Sequence, residues 1–155
     1  WLRVYKVKFT KYADLIVVPL GVTAACVRLG NFFNSEIVGK PIDGSWGVIY
    51  KKLGENFPRH PSQLYEAVLS LVTFAVLYWL YRGYYGKTLE HGGKKPLFFM
   101  FLFFLMYFGG RFLLEYFKDL HGPLPAGFPL SMGQVLSIVP VVVAAGWMGW
   151  KWSRK

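Results

Sequence analysis

The chain alternates between long stretches without a charged residue and shorter polar stretches, and this pattern predicts membrane helices. The uncharged stretches are 15–27, 67–81, 96–110 and 120–150, and they are largely apolar. A helix needs about 20 predominantly apolar residues to cross a bilayer core. We therefore predict an all-α, polytopic integral membrane protein. Its four transmembrane helices are expected at Tyr12–Leu29, Gln63–Arg82, Lys95–Leu114 and Leu130–Trp150.

The longest connection, residues 30–62, is polar and rich in Gly, Pro and Lys. Irregular backbone has no hydrogen-bond partners in hydrocarbon, so this segment must lie outside the membrane core or line a polar cavity. The other two connections contain several Gly or Pro residues, as turns do. We predict one membrane domain over residues 1–155, in which residues 30–62 form an extracytoplasmic polar segment.

Composition agrees with a membrane protein and bears on its partners. Of 155 residues, 54% are hydrophobic, and the mean hydropathy of +0.34 is too high for an ordinary soluble domain. The net charge is +10. However, the basic residues flank the apolar stretches, as membrane anchors do, instead of forming a separate basic surface. We expect membrane lipid around the chain and no nucleic-acid partner.

The distribution of basic residues predicts the orientation. Of the 18 Lys and Arg residues, 11 fall on the side of the two termini and the 82–94 loop, and seven fall on or near the other side. Because cytoplasmic loops carry an excess of Lys and Arg, both termini are expected in the cytoplasm.

Alternating topology then brings several polar residues together near the outer leaflet. Such residues are costly at membrane depth unless they are paired, and they often mark a functional cavity. On the third helix, Tyr107, Arg111 and Glu115 stand at i, i+4 and i+8 and are expected to form one polar stripe. An Arg–Glu pair that only fixes helix packing is the simpler alternative. The full set is Arg28, Glu36, Glu66, Arg111, Glu115 and Gln134.

The residue types and their spacing do not indicate a metal or cofactor site. Cys26 is the single cysteine, which excludes a disulfide within the chain and a cysteine-based metal site. No His, Asp or Glu residues have metal-ligand spacing, and no Gly-rich loop follows a predicted strand. We expect neither a metal nor a cofactor.

The segment from Arg28 to Gly39, Arg-Leu-Gly-Asn-Phe-Phe-Asn-Ser-Glu-Ile-Val-Gly, is dense in groups that bind polar ligands. Glycine allows close backbone approach, asparagine offers donors and acceptors, and arginine grips phosphate with a planar fork. The segment resembles the signature of the bacterial prolipoprotein diacylglyceryl transferases, Gly-Arg-x-Gly-Asn-Phe-x-Asn-x-Glu-x-x-Gly. It matches at every fixed position except the first, where Val27 stands.

Three further stretches resemble later motifs of that family, in the same order along the chain. Each stretch alone is a weak signal, but the combination covers nearly the whole chain and is specific. They are Arg59–Glu66, Tyr107 with Arg111–Glu115, and Ser131–Ser137.

The resemblance implies transfer of a diacylglyceryl group from phosphatidylglycerol to the lipobox cysteine of a preprolipoprotein, with release of glycerol phosphate. It implies a multi-pass protein of the bacterial plasma (inner) membrane whose active site faces the extracytoplasmic leaflet. The partners are then phosphatidylglycerol, the lipobox peptide and membrane lipid. The catalytic residues implied are Tyr107, Arg111, Glu115, Glu66 and His60, and the phosphatidylglycerol-binding residues are Arg28, Asn31, Asn34, Glu36, Gly39 and Arg111.

The chain also departs from the family pattern. The family has about seven membrane helices and an upstream His-Gly-Gly motif, so the chain resembles the carboxy-terminal part of a longer transferase. His91-Gly92-Gly93 stands at the wrong place in the order and on the predicted cytoplasmic side, and we interpret it as a coincidental turn. The alternatives are a phospholipid-binding protein without turnover and a segment of an anionic-solute transporter.

Overall fold

A computed structural model describes residues 9–44, 46–85, 97–119 and 129–154. Four helical spans in this part of the chain are long and apolar enough to cross a membrane, which confirms the predicted all-α membrane fold. Three are α1 (Phe9–Asn34), α2 (Ser62–Tyr85) and α5 (Met132–Ser153). The remaining span is built from α3 (Phe98–Phe103), a π turn (Phe104–Phe108), α4 (Gly109–Leu114) and a 3-10 turn (Glu115–Phe117).

The first helix is longer than predicted. It continues to Asn34 instead of ending near Leu29, so the first residues of the predicted polar segment are helical. Gly30 and Asn31 are weak helix formers but do not end the helix, and the chain leaves it at Ser35, whose φ is +59°. The residues of the signature that precede Ser35 therefore lie on α1.

Close contacts of small residues bring the spans together. A Cβ at Gly21 of α1 would lie 2.8 Å from the Ser70 carbonyl oxygen of α2, so glycine permits the two helix backbones to approach closely. Between them and the third span lies an aromatic and aliphatic core. Its buried members are Val17, Val18, Leu77, Phe99 and Phe103.

Asp14 is a buried carboxylate near the start of α1. Its Oδ1 accepts a hydrogen bond of 3.0 Å from the backbone N–H of Met100, in the first turn of α3. The first N–H groups of a helix have no partner within it, so a carboxylate there acts as a cap. Asp14 thus joins α1 to the start of the third span.

Residues 35–61 fold over the end of the bundle opposite to Asp14, and we call this end the loop end. Within the described residues this segment contains isolated β-bridges instead of strands. Arg59 fastens it: the guanidinium binds Glu55 at 2.6 Å, Asp119 at 2.5 Å and the Gly39 carbonyl oxygen at 3.2 Å. The hydrogen bonds from Arg59 hold the pKa of Glu55 below its ordinary value.

Candidate active site

A chain of contacts between charged and polar side chains crosses the loop end from α1 to the N-cap of α5. Arg28 Nε lies 2.7 Å from Glu66 Oε2, and Lys118 Nζ lies 2.7 Å from Glu66 Oε1. Lys118 Nζ also lies 3.0 Å from Glu115 Oε2, and Ser131 Oγ donates to Glu115 Oε1 at 3.0 Å. We call Arg28, Glu66, Lys118, Glu115 and Ser131 the polar network.

The polar network is buried and balanced in charge. Glu66 is 2% exposed and Lys118 is 5% exposed, and the two cations match the two carboxylates. Neither oxygen of Glu66 accepts a hydrogen bond of standard geometry, although each contacts a cation at ion-pair distance. The short nitrogen–oxygen distances from Arg28 and Lys118 neutralise the negative charge of Glu66. The misaligned donors leave the carboxylate with acceptor capacity for another group.

Two residues of the signature extend this arrangement along α1. Asn31 stands one turn beyond Arg28, and its Oδ1 accepts a long hydrogen bond of 3.5 Å from Arg28 Nη1. Its Nδ2 donates to Glu36 Oε2 at 2.9 Å. The guanidinium of Arg28 is therefore held by Glu66 on one side and oriented by Asn31 on the other.

The turn that follows α1 is strained. Ser35 and Ile37 have φ values of +59° and +54°, and a β-branched residue such as Ile37 rarely adopts this conformation. The start of α2 holds the turn: Ser62 Oγ donates to the Ile37 carbonyl at 2.9 Å and Gln63 Nε2 to the Glu36 carbonyl at 2.7 Å. Strain of this kind, about 1–3 kcal/mol per residue, is typical of functional sites that the surrounding structure holds in place.

The three residues of the predicted stripe, Tyr107, Arg111 and Glu115, contact different neighbours and do not bind one another. Tyr107 lies in the π turn and stacks on the Phe103 ring, with centroids 5.3 Å apart. Glu115 begins a 3-10 turn, in which side chains at i and i+3 eclipse, so its ion-pair partner is Lys118. The Arg111–Glu115 packing pair is likewise not formed.

Arg111 has no side-chain partner in the part of the chain that the structure describes. Its Nε is buried and has no hydrogen-bond acceptor among the residues that the structure describes. A buried, unpaired guanidinium donor is costly, and its planar fork suits a carboxylate or phosphate. The arrangement therefore offers an anion a place at Arg111, on the helix that carries Glu115.

His60 belongs to a neighbouring aromatic cluster and not to the polar network. Its Nδ1 lies 3.2 Å from the Tyr65 hydroxyl, and its ring packs edge-on against Trp46 and Phe117. A catalytic role for His60 stays a prediction.

Two other predicted ligands also stand apart from the network. Gly39 packs so tightly against the backbone of His60 and Phe117 that no Cβ fits, which accounts for glycine there. Asn34 is exposed in the last turn of α1. Binding of phosphatidylglycerol by either residue stays a prediction.

Lys118 and Ser131 belong to the site, although neither was predicted from the sequence. Ser131 is the N-cap of α5 and forms a capping box with Gln134, a Ser-x-x-Gln pattern that is readable from the sequence. Gly133, in the first turn, leaves room for the Glu115 carboxylate, because an added Cβ would overlap it. Lys118 carried a weaker signal, its spacing of three residues from Glu115.

Together, these features define an α-helical membrane protein with a charge-balanced polar network buried at one end of its bundle. A family model described as prolipoprotein diacylglyceryl transferase matches residues 1–150. The chain belongs to the prolipoprotein diacylglyceryl transferase family, which confirms the resemblance seen in its motifs.

Curated relatives named phosphatidylglycerol–prolipoprotein diacylglyceryl transferase are similar over most of the chain. The one from Tolumonas auensis is 42% identical over 88% of this chain and 50% of its own length. Those from Bacteroides fragilis and Bordetella parapertussis are 37% and 41% identical, over 96% and 89% of this chain. The chain spans about half the length of these relatives. The His91-Gly92-Gly93 stretch lies outside the described residues.

Proposed function

We propose that this chain supplies the phosphate-binding side of a site that transfers a diacylglyceryl group from phosphatidylglycerol to the thiol of a lipobox cysteine. The observation that carries the proposal is the pair of arginines at the loop end. Arg28 is held by a buried carboxylate, and Arg111 has a buried Nε without a described partner. The names of the relatives support this substrate pair.

In the proposed reaction, the cysteine thiolate attacks the glyceryl carbon that bears the phosphate. The carbon–oxygen bond breaks, its electron pair passes to the phosphate oxygen, and glycerol phosphate leaves. Negative charge therefore grows on the leaving phosphate, where fixed guanidinium donors in a poorly hydrated place stabilise the transition state. The thiol proton passes to a base, for which Glu66, Glu115 and His60 are the candidates.

The polar network fits this role because its ion pairs hold the charged side chains in place. The ion pair with Glu66 orients Arg28 before any lipid is bound, and Lys118 prevents the two buried carboxylates from repelling each other. Preorganised charges of this kind need little rearrangement during the reaction, which is why they lower barriers effectively. The phosphate of the lipid then meets donors that are already in place.

We further propose that the loop end faces the extracytoplasmic side of the inner membrane. The 11 to 7 distribution of basic residues supports this orientation. Cysteine labelling from outside intact cells tests it, with Cys26 first replaced by serine. We expect labelling of Asp43→Cys and none of Thr88→Cys, and the reverse result would contradict the proposed orientation.

The transferase proposal is tested on the protein expressed in full from its gene. A lipobox peptide is incubated with phosphatidylglycerol and analysed by mass spectrometry for diacylglyceryl addition. We expect Arg28→Lys and Arg111→Lys to lower the transfer rate at least about tenfold, because lysine keeps the charge but loses the bidentate fork. Arg82→Lys is the matched control, since Arg82 lies in the last turn of α2 at the far end of the bundle.

Two results would overturn the proposal. Wild-type transfer rates in both site variants would remove the phosphate-binding role. Binding of phosphatidylglycerol by the complete wild-type protein without any transfer would instead favour a lipid-binding protein. An anionic-solute transporter is disfavoured because α2 and α5 carry charged residues only near their ends, at Glu66, Arg82 and Lys151, and not through the depth of the membrane.

A further inference from the structure

The tip of the 35–61 segment is fixed rigidly to the helices beneath it. Residues 49–53 form this tip, which contains the 3-10 turn Lys51–Leu53. Tyr50 is buried, and its hydroxyl donates to Gln63 Oε1 at 2.9 Å. Burial raises the pKa of the Tyr50 hydroxyl, so it remains a protonated donor at neutral pH. Lys52 Nζ donates to the carbonyl oxygen of Phe33, in the last turn of α1, at 2.7 Å.

The fixed tip turns apolar side chains outward. Ile49 and Leu53 are 47% and 48% exposed, and the neighbouring Phe33 is 70% exposed. Lys51 is exposed beside them and has no side-chain partner among the residues that the structure describes. Apolar side chains next to lysines, on a rigid backbone, are the combination found where proteins lie in the membrane interface.

The position of the tip relative to the spans identifies its surroundings. Phe33 lies at the end of the Tyr12–Asn34 span, and Lys52 is bonded directly to it, so the tip lies at the end of that span, where a helix that crosses a bilayer meets the lipid headgroups. We propose that the tip is a membrane-interface contact for anionic phospholipid. Ile49 and Leu53 enter the upper acyl region, while Lys51 and Lys52 meet the headgroup phosphates.

This inference does not depend on catalysis, so its test is made without turnover. The full protein carrying Cys26→Ser is spin-labelled at Leu53→Cys or at Asp43→Cys and placed in nanodiscs containing phosphatidylglycerol. We expect the label at 53 to be more accessible to oxygen, which concentrates in lipid, than to a water-soluble nickel chelate. The label at 43, an exposed acidic position of the same segment, should show the reverse.

The charge component is tested by Lys51→Gln, because Lys52 also fastens the tip to Phe33. Quenching by brominated phosphatidylglycerol mixed into neutral lipid is measured for a fluorophore at position 53. We expect the preference for the anionic lipid to fall about fivefold, a factor set by the attraction of one basic residue to an anionic surface. Lys40→Gln, which removes an exposed lysine elsewhere in the segment, should leave the preference unchanged.

The inference would be overturned by a label at 53 that is as accessible to the nickel chelate as the label at 43. It would also be overturned if the label became protected only after a lipobox peptide was added, because the tip would then bind protein. Loss of diacylglyceryl transfer in the tip variants is not required. A failed transferase assay therefore leaves this result intact, and a failed depth measurement leaves the proposed function intact.

Discussion

Replacing Lys118 with methionine tests whether the polar network is held by its charge balance. Methionine is unbranched and similar in length, so the packing changes little while one positive charge is removed. In the native network, Lys118 Nζ contacts one oxygen each of Glu66 and Glu115. The substitution changes the summed charge of the network from zero to −1 and leaves two buried carboxylates facing each other.

The size of the effect follows from the contact distances. The two contacted oxygens are at most about 6 Å apart, because Nζ lies 2.7 Å from one and 3.0 Å from the other. With an effective dielectric constant near 20, two unit charges at about 6 Å repel by about 3 kcal/mol. Breaking a buried pair costs about 3–5 kcal/mol. We expect Lys118→Met to lower the free energy of unfolding by this amount.

The double variant Lys118→Met, Glu115→Gln separates repulsion from lost packing. It restores the charge balance, so we expect it to regain about 3 kcal/mol relative to Lys118→Met alone. The free energy of unfolding is measured by steric trapping in bicelles, and diacylglyceryl transfer by the full protein is measured in parallel. Lys40→Met, at an exposed site, should change stability by less than about 0.5 kcal/mol.

Equal stability of the single and double Lys118 variants would contradict the expected repulsion, because the carboxylates of Glu66 and Glu115 would then not be coupled. If the double variant regains stability without regaining transfer, the charges of Lys118 and Glu115 serve the reaction as well as the fold.

Three further results are expected. Gly133→Ala should reduce transfer in folded, membrane-inserted protein, because the added Cβ displaces the Glu115 carboxylate, and an unchanged rate would contradict this. Asp14→Ala should lower the free energy of unfolding by about 1–3 kcal/mol through loss of a buried cap, and steric trapping measures it. Because the pKa of Glu55 is lowered in the folded state, its bond to Arg59 stabilises the segment above pH 4.5 and is lost as the pH falls through the lowered pKa. A spin label at position 57 should therefore gain mobility only below pH 4.5, and Glu55→Gln should remove this dependence.

The helices were predictable because each span contains a long stretch without a charged residue, and that property is local to the sequence. The convergence of Arg28, Glu66 and Glu115 at one end was also predictable, since alternating spans return to the same side of the membrane. The partners within that end were not. Lys118 replaces Arg111 as the partner of Glu115 because the helix tightens into a 3-10 turn there, and the three-residue spacing of Lys118 from Glu115 was too weak a signal to predict the change.

Contacts between distant segments were likewise beyond the sequence pattern. Asp14 caps a helix that begins more than eighty residues later, so only the packing of α1 against α3 gives its charge a partner. The strained conformation of Ile37 depends on hydrogen bonds from Ser62 and Gln63, which belong to another helix. In both cases, the conformation or charge of a residue depends on a residue that is near in space but distant in the sequence.

The order of the ion pairs along the chain bears on how the protein enters the membrane during synthesis. Arg28 and Glu66 lie on consecutive spans, so a hairpin of α1 and α2 delivers both charges as a neutral unit. Glu115 and Lys118 lie one turn apart and can neutralise each other before α5 arrives. Each charged residue therefore has an oppositely charged partner when its span enters the membrane. An unpaired charge is costly at that stage. The contact of Lys118 with Glu66 then joins two preformed pairs, and α5, arriving last, adds Ser131 to a site that is already neutral.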